Sequence, residues 1–324
     1  MKLFSKIIGK FKVKNLKTRI KMRLDSYIFE LPNFLNIFEK NISKRIYRGK
    51  DPFNELTLFS PTYRQLKVML NQLYINNNFY KSIANFLEKT EGKILFDIGA
   101  NIGYYSRTIS HFCNKEIEII GIEPDLKNLG FCSMNLRDRE NCTLFHGGFS
   151  NNFEKYNLRI PDYAKSRKGE SKFNTGLLSA IGMESDNGTR FINFDKYRKL
   201  MRINFDDIAW VKIDVEGFEL NVLKGMEDTL LNSNPVIEIE INPRTMSLSN
   251  QTFNDYFNYF QRFEYIALRS KNDAIDDLDT ELFNMNLLFV KGKSKNLIKD
   301  YFDYERFSEK DIHNWHKLYK KLFY

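Results

Sequence analysis

The sequence predicts a doubly wound, Rossmann-like α/β sheet with an N-terminal helical extension and a C-terminal helix. Three observations predict it. Short apolar runs alternate with segments of helical period between residues 93 and 292. The first run leads into a turn bearing two glycines, Gly99 and Gly103. Acidic residues close several runs, at Asp97, Glu123, Asp214 and Glu240. An open α/β sheet binds its ligands at those strand ends.

The chain begins with a segment unlike the rest. Of 324 residues, 50 are Lys or Arg and 41 are Asp or Glu, a net charge of +9. Residues 1–24 hold nine basic groups and no acid, so residues 25–324 balance at 41 of each sign. A body without net charge excludes the basic domain of a nucleic-acid binder. Within 1–24, Phe4, Ile7, Ile8 and Phe11, then Leu16, Ile20 and Leu24, fall at helical spacing. Such a basic amphipathic helix can lie on an anionic membrane, each basic group contributing about 1 kcal/mol. It can equally pack on the domain and keep its lysines in water. Charges interrupt any apolar core, so it does not read as a secretory signal. No apolar run reaches the roughly 18 residues of a membrane span. Three cysteines (Cys113, Cys132, Cys142) read as packing residues of a reduced, cytoplasmic setting. The expected location is cytoplasmic, with residues 1–24 open to a membrane-peripheral role.

Residues 25–92 read as helical, with Leu66, Met69, Leu70 and Leu73, then Phe79, Ile83, Phe86 and Leu87, at helical spacing. The main domain then runs over residues 93–292. Its strands are expected at Ile94-Leu95-Phe96, at residues 118–122 and at Thr143-Leu144-Phe145-His146. Helices carrying Tyr105, Ile109 and Phe112, and then Leu126, Leu129 and Met134, separate them. Residues 150–190 are polar and aperiodic, and read as a partly ordered insertion near the substrate side. Alternation resumes with strands at Ile208–Ile213 and Val236–Ile241, and closes with a pair near residues 265–268 and 287–290. In the tail, residues 293–324, Ser308-x-x-Asp311 reads as a capping box before a helix with Ile312, Trp315, Tyr319 and Leu322 on one face.

The loop after the first strand reads Asp97-Ile98-Gly99-Ala100-Asn101-Ile102-Gly103. Glu123 stands 20 residues beyond Gly103, at the end of the second strand. A carboxylate there can accept both ribose hydroxyls of an adenosine. The dinucleotide pattern G-x-G-x-x-G is not met, because Asn101 and Tyr104 replace two of its glycines. Asp97 would repel a pyrophosphate at a helix N-terminus. It suits a cationic ligand with an adenosine half, and S-adenosylmethionine fits. The bland alternative is a strand–helix turn whose Asp caps backbone. The cofactor set is therefore Asp97, Gly99, Asn101, Gly103 and Glu123, with residues 148–151, Phe149 among them, expected to border the adenine.

Phe96-Asp97-Ile98-Gly99-Ala100-Asn101-Ile102-Gly103-Tyr104-Tyr105 resembles the first motif of the FkbM-type methyltransferases. Asp214-Val215-Glu216-Gly217-Phe218-Glu219, with Val222-Leu223-x-Gly225, resembles the second. Asn174-Thr175-Gly176 and Phe194-Asp195 look like weaker family positions between them. The resemblance spans roughly residues 90–245. It implies a class I methyltransferase fold, S-adenosylmethionine as cofactor, and O-methylation of a sugar, glycan or other polyhydroxyl acceptor.

The acceptor side is expected after the fourth and fifth strands. Side-chain alternation places Glu238, Glu240 and Asn242 on one side. Carboxylates on a buried strand are costly unless paired or ligated. Asp214, Glu240 and Asn242 can thus hold a divalent cation such as magnesium through oxygen. That arrangement is similar to the metal site of catechol-type O-methyltransferases. Alternatively, Glu238 or Glu240 pairs with Lys212 or Arg244. An alcohol needs a base or a metal to become a nucleophile. The candidate bases are Asp214, Glu216 and His146. Two other readings remain: an NAD-dependent oxidoreductase on the same fold, which the missing glycines disfavour, and a noncatalytic adenosyl-ligand module.

Overall fold

The structure, a computed structural model, describes residues 47–50, 57–61, 65–67, 69–70, 77–159, 178–270, 285–307 and 311. Residues 1–24, Asn174-Thr175-Gly176 and the proposed tail helix after Asp311 lie outside the described residues.

In chain order the strands are β1 (Tyr47–Lys50), β2 (Thr57–Ser60), β3 (Ile94–Ile98), β4 (Glu118–Glu123), β5 (Cys142–His146), β6 (Gly148–Phe149), β7 (Glu154–Tyr156), β8 (Thr189–Ile192), β9 (Ile208–Ile213), β10 (Val236–Ile241), β11 (Ile266–Ser270), β12 (Met285–Val290) and β13 (Tyr304–Arg306). The helices that position the site are α1 (Asn77–Lys89), α2 (Tyr104–Phe112), α3 (Leu126–Asn135), α4 (Phe194–Met201), α5 (Glu219–Lys224), α6 (Glu227–Asn232) and α7 (Pro243–Leu248).

Eight strands form the central sheet, in the order β13-β11-β12-β10-β9-β3-β4-β5. From β5 to β10 neighbouring strands are parallel, and β12, β11 and β13 join antiparallel. The parallel strands are mostly apolar because both faces are covered, and the charged residues Asp97, Lys212, Glu238 and Glu240 interrupt them. Successive residues serve opposite layers. Leu95 and Ile119 pack with α1 and α2 residues such as Phe86 and Tyr105. Phe96, Ile98, Ile120 and Ile122 pack with Phe194, Leu223 and Leu230 on the other side. The chain leaves β3 towards β4 and β5 on one flank and reaches β9 and β10 on the other. This reversal opens the ligand crevice at the carboxyl ends of β3 and β9.

Two regions differ from expectation. The stretch read as helical before residue 92 includes the antiparallel pair β1–β2, where Arg48 faces Phe59 in register and its guanidinium lies 5.8 Å from the ring centroid. The tail read as helical includes β13, where Glu305 pairs in register with Arg269 and bonds it at 2.6 Å. Both pairings join residues that are not neighbours in the sequence, so local periodicity carries no sign of them. Strands flank and enter the described ends of the expected insertion, residues 150–159 and 178–190. There β6, β8 and β7 form a separate three-stranded sheet. Among the described residues, no helix is long and apolar enough to cross a membrane.

Candidate active site

The turn after β3 is set by close backbone approach. Gly99 has φ 84°, and a Cβ there would lie 1.9 Å from the Asp214 carbonyl oxygen. Only glycine allows this turn to press against the end of β9. The Gly99 and Ala100 amides both donate to the Ile122 carbonyl at 2.9 Å, and the Asp214 amide donates to that of Ile98 at 3.0 Å. Asn101 adopts φ 51°, a conformation Asn tolerates better than most residues. Its amide donates to Glu123 Oε2 at 2.8 Å, while Asp125 N donates to Glu123 Oε1 at 2.9 Å. Glu123 thus clamps the loop from the end of β4. Burial pushes its carboxyl up to about 8, against the lowering effect of those two amides.

Asp97 corrects one expectation. Its side chain is fully buried, accepts a 2.6 Å bond from Ser106 Oγ, and lies 3.6 Å from the Lys212 ammonium. It ties β3 to α2 and β9, and its charge is met by Lys212. Phe149 corrects another. Its ring is buried in the core, 5.1 Å from Phe194 and 5.2 Å from Tyr197. Asp195, in the weaker family position, caps α6 by accepting from the Asp228 and Thr229 amides at 2.9 and 3.1 Å.

Across the crevice, Asp214, Glu216 and Glu240 each bring a carboxylate oxygen within 4.8 Å of the others. Asp214 retains 27% side-chain exposure and accepts a 3.1 Å bond from Lys212 Nζ. The turn that delivers Glu216 is unusual. Glu216 has φ 54° and Gly217 φ 94°. A non-glycine residue held there costs about 1–3 kcal/mol, a cost that clusters at functional sites. The buried carboxylate of Glu219 holds this turn, its Oε1 accepting from the Gly217 and Val215 amides at 3.0 and 3.2 Å. Burial raises the carboxyls of both Glu216 and Glu240, and the neighbouring Asp214 charge raises them further. A hydrogen bond between Glu240 and Asp214 adds to the shift at Glu240.

Glu238 and His146 fall elsewhere. Glu238 shares a side of β10 with Glu240, yet accepts from Tyr105 Oη at 2.5 Å and Trp210 Nε1 at 3.0 Å, with its carboxyl pushed up by burial to about 7. Asn242 opens α7, and its carbonyl accepts from Met246 N and Thr245 Oγ1, each at 3.0 Å. The third carboxylate in the group is Glu216. His146 ends β5, three strands from β9 and so about 14 Å away. Its Nε2 lies 3.1 Å from the Pro124 carbonyl oxygen, and burial lowers its pKa. It is not brought to the acidic group. Lys212, by contrast, was expected only as a partner of Glu238 or Glu240. It bridges Asp97 and Asp214, and these two carboxylates hold its ammonium well above the usual lysine range although burial opposes the charge. A lysine inside the run Ile208-Ala209-Trp210-Val211-Lys212-Ile213 was the available signal.

A reversing parallel sheet, with a glycine loop clamped by a second-strand carboxylate and acids at the ends of β9 and β10, is a Rossmann-like α/β fold, and the match of its central stretch to a known domain makes it a methyltransferase. Residues 97–267 match the methyltransferase FkbM domain, and the chain belongs to that family. The hexuronic acid methyltransferase AglP of Haloferax volcanii is 28% identical over 159 residues, which cover 46% of this chain and 56% of that protein. The match therefore spans little more than half the length of that relative. Among solved structures, the FkbM methyltransferase of Methylobacillus flagellatus is 18% identical with a TM-score of 0.41, covering 80% of this chain and 58% of that one. An O-methyltransferase of Bacillus cereus, solved in complex with SAH, is 11% identical with a TM-score of 0.36, covering 71% and 92%.

Proposed function

We propose that this protein transfers a methyl group from S-adenosylmethionine to a hydroxyl of a sugar, glycan or other polyhydroxyl acceptor. The observation that carries the reading is the pairing of two unlike sites across one crevice. On one side Glu123 closes a loop shaped for an adenosine. On the other, Asp214, Glu216 and Glu240 gather within 4.8 Å. The Glu123 carboxylate accepts the ribose hydroxyls. The acidic group lies towards the methyl donor and orients the acceptor. In the reaction the acceptor oxygen attacks the methyl carbon in line. The C–S bond breaks, its electron pair stays on sulfur, and the hydroxyl proton passes to a carboxylate. A carboxylate with a raised pKa is the better base near neutrality. Burial and the Asp214 charge raise both Glu216 and Glu240. The hexuronic acid methyltransferase among the relatives favours a sugar acceptor.

A second reading of the acidic group is a divalent cation held by Asp214, Glu216 and Glu240. Their mutual distance favours it. The Lys212 ammonium, 3.1 Å from Asp214, already neutralises part of that charge and favours the direct base. Residues 1–24 are proposed to add peripheral contact with anionic membrane. Mass spectrometry of the copurified ligand tests the main reading. S-adenosylmethionine or its demethylated product is expected, and NAD would overturn it.

A further inference from the structure

Residues 57–61, 65–67 and 69–70 precede the stretch that matches the FkbM domain, yet they build one wall of the cofactor loop. Gln65 Nε2 donates to Asn101 Oδ1 at 2.9 Å. Residues 65–67 and 69–70 are helical, and Leu66 and Met69 pack with Ile102 of the loop and Phe131 of α3. The fully buried Asn135 fastens this wall. Its Nδ2 donates to the carbonyls of Phe59 at 2.9 Å and Ile102 at 2.7 Å, and its Oδ1 accepts from Phe59 N at 2.8 Å. The strand β2, the loop and α3 are thereby joined through one side chain.

We propose that Gln65 is a positioning residue for cofactor binding, acting through Asn101. The inference rests on reading the Gly99–Gly103 loop as the cofactor loop. Asn101 stands in a left-handed conformation at the head of that loop, with its backbone amide committed to Glu123. Its side-chain amide is held by the bond from Gln65 Nε2 to its Oδ1. With its oxygen engaged, the amide group is oriented to donate. A donor suits an acceptor atom on the ligand, such as a ribose oxygen or an amino-acid carboxylate. The apolar contacts of Leu66 and Met69 keep Gln65 at this distance.

The test is a double-mutant cycle on the full chain, with S-adenosylhomocysteine as the calorimetric probe. Gln65→Ala should weaken binding by about 2- to 13-fold, the range of one neutral hydrogen bond. In the Asn101→Ala background the same change should cost less than about twofold, because Gln65 then has nothing to orient. Gln65→Glu, which replaces the donor by an acceptor at equal size, should lose affinity as Gln65→Ala does. An equal loss in both backgrounds overturns the proposal, since it marks a general structural role. So does unchanged affinity of Gln65→Ala or of Gln65→Glu. Glu123→Ala separates this inference from the reading beneath it. Failure of the unsubstituted protein to bind, or unimpaired binding by Glu123→Ala, overturns the cofactor reading and this inference with it. Binding lost with Glu123→Ala but kept with Gln65→Ala overturns this inference alone.

Discussion

Replacing Glu123 by Gln should flatten the pH dependence of cofactor binding. Burial pushes the Glu123 carboxyl up to about 8 in the ligand-free protein. Ribose hydroxyls donate to its ionised form, so binding selects that form. At pH 7 roughly 9% of the molecules carry the charge, and at pH 9 roughly 90% do. Apparent affinity scales with the competent fraction, so it should rise about tenfold across that interval. At pH 9 the charge-assisted bonds are worth about 1.5–3 kcal/mol, or roughly 10- to 150-fold over Gln. At pH 7 that advantage should shrink by about tenfold. Calorimetric titration with S-adenosylhomocysteine, on both proteins at both pH values, isolates the difference from the ligand's own amine. The stability sign is independent. The folded value lies above that of a free carboxyl, so the stability contributed by this group is present at low pH and lost as pH rises through about 8. Glu123→Gln should therefore lose less melting temperature than the unsubstituted protein over the same rise. Parallel affinity profiles for the two proteins would refute the reasoning, because the ligand then never meets the carboxylate.

Asp214→Asn should lower turnover by about 10²- to 10⁴-fold while changing cofactor affinity by less than about tenfold; normal turnover per folded molecule with an early melt would make Asp214 structural. Chelation should leave activity intact if a carboxylate takes the proton directly, whereas loss restored by magnesium supports the cation. Gly99→Ala should destabilise the fold by on the order of 3 kcal/mol in urea unfolding, since its Cβ would lie 1.9 Å from the Asp214 carbonyl oxygen at φ 84°. Deleting residues 1–24 should abolish co-sedimentation with anionic vesicles and leave cofactor affinity unchanged. In the intact protein that sedimentation should fade with salt, because exposed charges are screened beyond about 10 Å at 0.1 M.

What the sequence disclosed follows from how far each signal travels along the chain. The parallel strands were legible because burial on both faces leaves mostly apolar runs, as in Ile119–Ile122. The strand-end positions of Gly99, Glu123 and Asp214 were legible because each follows or closes an apolar run. Phe149 misled, since Gly147-Gly148-Phe149 looks like an exposed loop while the ring turns back onto Phe194. Lys212 was named only as a pairing partner because its own strand is otherwise apolar, and its two carboxylate partners come from different strand ends. Gln65 carried no signal at all. Its partner Asn101 lies 36 residues away, beyond a helix and a strand.

Lys212 and Gly99 together explain why the two halves of the crevice should work as one unit. Methyl transfer tolerates little error, because a misplacement of about 1 Å in the attacking geometry can cost on the order of 10²-fold. In the proposed reaction the donor side is carried by the loop after β3, the acceptor side by the turns after β9 and β10. Loops on separate strands ordinarily move independently. Here the Gly99 backbone leaves no room for even a Cβ against the Asp214 carbonyl. One ammonium lies 3.6 Å from Asp97 at the base of the donor loop and 3.1 Å from Asp214 at the acceptor turn. Separating the two turns would leave a buried carboxylate without its counter-charge, a cost of several kcal/mol. The strained turn at Glu216 and Gly217 is held in the same way, by the buried carboxylate of Glu219. Rigidity between donor and acceptor is therefore a consequence of charge burial and of one missing side chain.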